Sequence, residues 1–465
     1  MNGSVTIINY NENACEIVSA AGRISTTEGS ADQIYSASCA NDQEKNIKLI
    51  KKILSSGHES VLEHISVNLS FDNVSVYVEQ FMIEFRLASF TVKSRRYVDF
   101  RKMGYVMPDF SKYDVSNAEE LKCTYQRHME YLFEEYNYLL EMDVPKEDAR
   151  FVLPYSFKSN FYCTVNAREL VKIMNEMVYG RGKDYPELVA LGKALFEQCE
   201  NTMPYLNIVK PQNELKDNMK QYFSTVETQK KTDTKSDELI TLVGGTEEPE
   251  KIICKAAALN YGIADWYNVE IDDAEMQKQI ITELLKGGRK RELEQAHFTI
   301  LFNRISLAGV THLVRHRMQS ILIPNYLDAC KYDEYVLPES VVKAGAAERY
   351  KAVFAKSREV AEYLSQNGFY LYDQVYMLLS GMTIPVITTM NANELYTFMR
   401  LRTCNRAQWE IKECSDALLK ILRTKYPVLF SLYGPSCFMM GRCPEGKMTC
   451  GLFQEMRKAY GVMGD

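Results

Sequence analysis

Arg315-His316-Arg317-Met318-Gln319-Ser320 sets three residues able to carry positive charge side by side, in a chain with six histidines and a net charge of −6. Leu313-Val314 precede the cluster and Ile321-Leu322-Ile323-Pro324 follow it. Surface charge runs ordinarily have polar neighbours, so these flanks point to a cluster held against the body of the protein. Two readings are open. One is a partly buried salt-bridge knot, since charges are rarely buried unpaired. The other is an anion clamp, since Arg offers a planar donor fork matched to phosphate or carboxylate.

Working outward, the bulk properties narrow the class. At 465 residues the chain is too long for one ordinary core, and two or three domains are expected. A hydrophobic fraction of 46% and a charged fraction of 25% are those of a globular protein in water. The mild acidity argues against general nucleic-acid binding, which calls for a basic face. The start, Met1-Asn2-Gly3-Ser4, carries no basic n-region or long apolar region, so no signal peptide is read. No run of about 18 apolar residues marks a membrane span. Twelve scattered cysteines read as reduced thiols, placing the protein in the cytoplasm.

Read in order, residues 44–56 form an amphipathic helix stopped by Gly57, with Ile47, Ile50 and Leu54 on one face. His58-Glu59-Ser60-Val61-Leu62-Glu63-His64 follows, and then alternation at Ile65, Val67, Leu69 and Phe71 reads as a half-buried strand. Residues 74–90 read as one helix, 91–97 as irregular chain, and 118–142 as a long helix. Pro145 to Arg150 looks like a helix start. Phe161 to Val165 reads as a strand leading into Asn166-Ala167-Arg168-Glu169-Leu170 and a further helix. Residues 206–238 are polar and aperiodic, and read as a connector.

Beyond the connector the pattern returns. A helix at 272–286 ends in Gly287-Gly288, and alternation resumes at Ala296, Phe298, Ile300 and Phe302. The same offset sets Arg317 on Arg86 and Ser320 on Ser89. Asn391-Ala392-Asn393-Glu394-Leu395 echoes Asn166 to Leu170 at an offset six residues shorter. Helix, stop, strand phase and motif all in register mark an internal duplication. The chain divides into a first copy at 1–205, the connector at 206–238, and a second copy at 239–465.

These residues resemble the flavin-dependent thymidylate synthase family, whose signature is Arg-His-Arg-x-x-Ser, an Asn two residues on, and then Ser-x-Arg-Tyr. His58 to His64, and Arg402 through Arg406-Ala407-Gln408-Trp409-Glu410-Ile411, also look like family motifs. The resemblance implies an α+β fold: two tandem copies, each a mainly antiparallel sheet with packed helices. Neither copy holds the whole signature. The first has Glu84-Phe85-Arg86 for Arg-His-Arg, but keeps Ser89, Ser94, Arg96 and Tyr97, with Thr91 and Val92 departing from the pattern. The second keeps Arg315-His316-Arg317 and Ser320, but has Leu322, Asn325 and Leu327 in the continuation. The first retains Arg150 and Arg168, with Met177 where the family has its substrate-activating arginine. The second retains that arginine as Arg402, with Val375 and Asn393 opposite Arg150 and Arg168.

Family active sites are shared between chains of a tetramer, so the resemblance implies one complete composite set per chain and one dead one. The complete set takes His312, Arg315 and Arg402 from the second copy, and Ser94, Arg95, Arg96 and Arg150 from the first. Two such chains would pair as a homodimer resembling the tetramer. The implied reaction, that of an FAD-dependent methyltransferase, is reductive methylation of dUMP at C5. Methylenetetrahydrofolate is the folate co-substrate, FAD the cofactor and NADPH the reductant. Arg402 would be catalytic, and His312, Arg315, Ser94, Arg95, Arg96 and Arg150 would bind the nucleotide. Ser60, Glu63, Arg315, His316, Arg317, Asn166, Arg168 and Arg406 are the implied flavin contacts. Structural readings stand beside these: Ser94 as a turn hydroxyl, and Glu63 as a helix brace.

Two alternatives stay open, the first because of departures at Thr91, Val92 and His312, the second against the retention of Arg402, Arg96 and Arg150. One is flavin-dependent modification of another pyrimidine nucleotide; the other is a non-catalytic nucleotide- or flavin-binding paralogue. Cys437, Cys443 and Cys450 are separated by five and six residues, which is not a zinc-ribbon spacing. They read as buried thiols of a folded-back tail, with a metal site as the alternative.

Overall fold

The computed structural model describes residues 3–96, 98–113, 115–206, 223 and 238–461. The connector at 206–238 lies outside these except at residues 206, 223 and 238, and Tyr97 lies outside them too.

Strand alternation builds two sheets. Val67, Leu69 and Phe71 are fully buried in β2 (Ser66–Ser75). That strand lies between β1 (Ser4–Tyr10) and β4 (Lys158–Asn166), and β3 (Ala88–Val92) completes the order β1-β2-β4-β3. Phe298, Ile300 and Phe302 are buried likewise in β6 (His297–Ser306). With β5 (Ile240–Gly245), β7 (Ser320–Leu322) and β8 (Thr383–Asn391) it gives the order β5-β6-β8-β7. Every pairing is antiparallel.

The register repeats as closely as the order. Ser66 faces Asn166, and His297 faces Asn391. Both central ladders slip at the equivalent place, between Phe71 and Val74 and between Phe302 and Ile305. Helix caps repeat too. The side chains of Ser75 and Ser306 accept the N–H groups of Val78 and Gly309, and those of Asn166 and Asn391 accept from Glu169 and Glu394. Glu187 and Glu410 accept the backbone N–H of the two capping serines at 2.9 and 2.6 Å. A one-residue slip would turn each buried strand face outward, so this shared register identifies two copies of one α+β fold.

One expected element is different. Residues 74–90 are not a single helix: Val76–Ile83 is helical, and the chain then turns into β3, which also takes in two residues read as irregular. All eight residues of that helix are buried, and an apolar run buried all round carries no period to separate helix from strand.

The compact units do not follow the sequence copies. One comprises Met1–Lys231 and Leu337–Ser380; the other comprises Thr232–Val336 and Gly381–Asp465. Within the first unit the helix Ala347–Gln366 lies along Ala118–Glu141. Arg349 grips Glu135 with two bonds of 2.7 and 3.0 Å, and Tyr363 donates to Glu120 at 2.6 Å. No helix among the described residues is long and apolar enough to cross a membrane.

Candidate active site

In the second unit the opening cluster separates by exposure. Arg315 and Arg317 are exposed, while His316 between them is 4% exposed. Its imidazole is held from one helix, Ala392–Arg402. Nδ1 lies 3.1 Å from Glu394 Oε1, and Nε2 accepts from Arg402 Nε at 3.0 Å. The Phe398 ring meets it edge-on, with centroids 4.9 Å apart. Glu394, Phe398 and Arg402 are an i, i+4, i+8 row, so one helix stripe grips one ring. Burial lowers the His316 pKa, Arg402 adds to that, and the Glu394 carboxylate opposes it.

The resemblance implied a flavin contact for His316, but here both ring nitrogens are engaged inside the unit. His312 is buried in the helix Leu307–Leu313. Arg406 is exposed and donates through Nε to the Met448 carbonyl at 2.5 Å, which ties it to the C-terminal tail. In that tail Cys437 is buried, while Cys443 and Cys450 are half-buried. Among the described residues no three metal-ligating side chains gather to hold an ion.

In the first unit, Ser94 to Arg96 leave β3 in a turn. The Arg96 N–H donates to Ser94 Oγ at 3.3 Å, so this hydroxyl shapes the turn. Arg95 is buried and paired with Glu79, whose other oxygen accepts from Ser159. Its Nη1 is buried with no hydrogen-bond partner among the described residues. Arg96 pairs with Glu147 at 2.6 Å, and Arg150 Nε donates to the Glu147 carbonyl at 3.0 Å. Glu147 therefore draws Arg96 and Arg150 together.

Arg168, 49% exposed at its side chain, pairs with Glu63 at 2.5 Å and lies 3.8 Å from Glu59. These residues line a groove of about 490 Å³ with Asn166, Lys172 and Asn175. The Asn166 side-chain oxygen is taken up by its capping bond. Ser60 lines a separate groove with His64, and Glu63 borders both. Four carboxylates, Glu59, Glu63, Glu169 and Glu176, line the first groove against the two cations, so Arg168 and Lys172 are the only charged groups there suited to a dinucleotide's diphosphate.

The positions equivalent to Arg315 and Arg402 are filled differently, by Glu84 and Met177. Glu84 pairs with Arg181, whose Nη2 also donates to the Phe81 carbonyl at 3.3 Å. The Arg181 guanidinium lies over the rings of Phe81 and Phe85 at 4.4 and 5.3 Å. Met177, standing where Arg402 stands, is fully buried.

Sequence reasoning missed the acids Glu79, Glu147 and Glu394, and it missed Arg181. Glu394 had a signal: it stands eight residues before Arg402 on one helix. Arg181 had one as well, since it follows Asn166 by the fifteen residues that separate Arg406 from Asn391.

The profile of the family described as thymidylate synthase complementing protein matches residues 6–205 and again 241–428. The chain belongs to that family, as two copies in tandem. Among its relatives, the flavin-dependent thymidylate synthase of Geobacter sulfurreducens is 32% identical over 48% of this chain and 98% of its own length. That of Clostridium tetani is 30% identical over 48% of this chain and 96% of its own. A solved UMP/dUMP methylase, PolB from Streptomyces cacaoi bound with 5-Br dUMP, aligns at 24% identity. It covers 44% of this chain and 93% of its own, with a TM-score of 0.38.

Proposed function

We propose that this chain is an enzyme, a flavin-dependent thymidylate synthase that methylates dUMP at C5. Methylenetetrahydrofolate would supply the carbon, and NADPH the reducing equivalents. The observation that carries the reading is Arg402, half-buried and fixed through its Nε on a buried histidine. C5 of uracil is a poor nucleophile. A fixed cation beside the pyrimidine favours ionisation at N3 and stabilises charge as it develops. Arg95, Arg96 and Arg150 would hold the nucleotide phosphate, and the buried open donor of Arg95 supports that role. His312 and Arg315 would complete the nucleotide contacts. FAD, when bound, supplies the redox and carbon-transfer chemistry. Glu63, Arg168 and Asn166 in the groove, with Ser60, Arg315, Arg317 and Arg406, are the residues proposed to hold it. Each chain carries one complete set.

Rescue of a thymidine-requiring strain tests the reading, beside an Arg402→Ala version. Rescue by the parent and failure of the variant are expected. Failure of the parent despite soluble, flavin-loaded protein would favour another pyrimidine nucleotide, or a non-catalytic binding role.

A further inference from the structure

We propose that Glu394 is a positioning residue for Arg402, acting through one fixed tautomer of His316; the proposal rests on reading Arg402 as the residue that polarises the pyrimidine. Arginine is a donor only, so Nε2 of His316, 3.0 Å from Arg402 Nε, must carry the lone pair. The ring proton then sits on Nδ1 and donates to Glu394 Oε1, 3.1 Å away. Glu394 is itself fixed, because its backbone N–H donates to the Asn391 side chain at 2.8 Å. The chain of contacts therefore runs from helix cap to carboxylate to imidazole to guanidinium. Bonding through Nε, and not through a terminal nitrogen, fixes the plane of the whole fork. Phe398 closes the ring's edge, and burial disfavours a second proton on the imidazole.

The first copy supplies the contrast. It keeps the acid as Glu169, capped in the same way by Asn166 at 2.8 Å. Phe85 and Met177 replace the histidine and the arginine, so nothing is relayed, and Glu169 has Lys172 at 3.9 Å. The relay is complete only in the copy that holds the activating arginine. An acid serving the fold alone would need no such partners, as the first copy demonstrates.

The test uses the full, flavin-loaded chain. Nitrogen-15 NMR of labelled histidine should find His316 neutral with its proton on Nδ1 between pH 6 and 8. Glu394→Gln keeps an acceptor oxygen and should keep that tautomer, with turnover near the parent's. Glu394→Ala should lose the tautomer preference, and its kcat on dUMP should fall about 100-fold, the scale of a misplaced catalytic group. A proton on Nε2 in the parent would overturn the proposal. So would a Glu394→Ala enzyme whose kcat per folded molecule matches the parent's, with only its melting temperature lowered. Parent-like turnover by Arg402→Ala would instead remove the reading of Arg402, while the NMR result would still decide the tautomer.

Discussion

At Asp373 the fold holds a carboxyl whose protonation is coupled to stability. It is buried beside Glu187 and accepts from Tyr113 at 2.7 Å. Burial raises its pKa from 3.8 to about 6, and Glu187 adds to the rise while the Tyr113 bond opposes it. The folded protein therefore holds this proton more tightly than the unfolded chain. Its contribution favours folding below about pH 4 and is lost as pH rises through about 6. Asp373→Asn should be more stable than the parent at pH 7.5, by up to about 3 kcal/mol. The gap should close near pH 4, as followed by urea denaturation at both pH values. A variant no more stable at pH 7.5 would refute the assignment. At this same scale the opening cluster was only half legible. Arg315-His316-Arg317 was visible as a site, but nothing in three adjacent letters says that the middle one faces inward. That depends on Glu394, Phe398 and Arg402, about eighty residues away. The two readings of the cluster both keep a part: exposed arginines outside, and a buried polar knot beneath.

At the scale of elements, legibility followed periodicity. Strands β2 and β6 were readable because their alternation is strict, and the helix Ala118–Glu141 because its pattern runs for many turns. The helix Val76–Ile83 was overextended because burial all round erases the period that would have ended it. Motif residues can also hold a structural post that a family comparison does not reveal. Asn166 and Asn391 each cap a helix with a 2.8 Å bond to the third residue along. Replacing either by Ala should lower stability by about 1 kcal/mol, the usual cost of a lost cap. Equal losses in urea denaturation are expected, since the two caps have the same geometry. A loss at only one of them would mean that the duplicated helix starts are not energetically equivalent.

At the scale of the molecule, the tandem copies are not separable modules. Leu337–Ser380 belongs by sequence to the second copy, yet it packs in the unit built on the first. Sequence periodicity registers a repeat but not which unit a helix packs in, because the apolar face of Ala347–Gln366 looks the same whichever partner covers it. The two copies also differ at the positions proposed to form the site. One set keeps Arg315 and Arg402. At the equivalent positions the other has Glu84 and Met177, with Arg181 laid over Phe81 and Phe85 and paired to Glu84. A nucleotide arriving there would meet a carboxylate already matched to its own cation, and no arginine equivalent to Arg402 to receive its pyrimidine. Calorimetric titration of flavin-loaded protein with dUMP should therefore give one nucleotide per chain. Arg181→Ala leaves Glu84 without that guanidinium, so it adds repulsion for an anion and should leave the stoichiometry at one. Two nucleotides per chain in the parent would show that the altered positions still bind. A second nucleotide appearing only in Arg181→Ala would show that Arg181 was blocking a competent site, and that Glu84 is no barrier to a nucleotide.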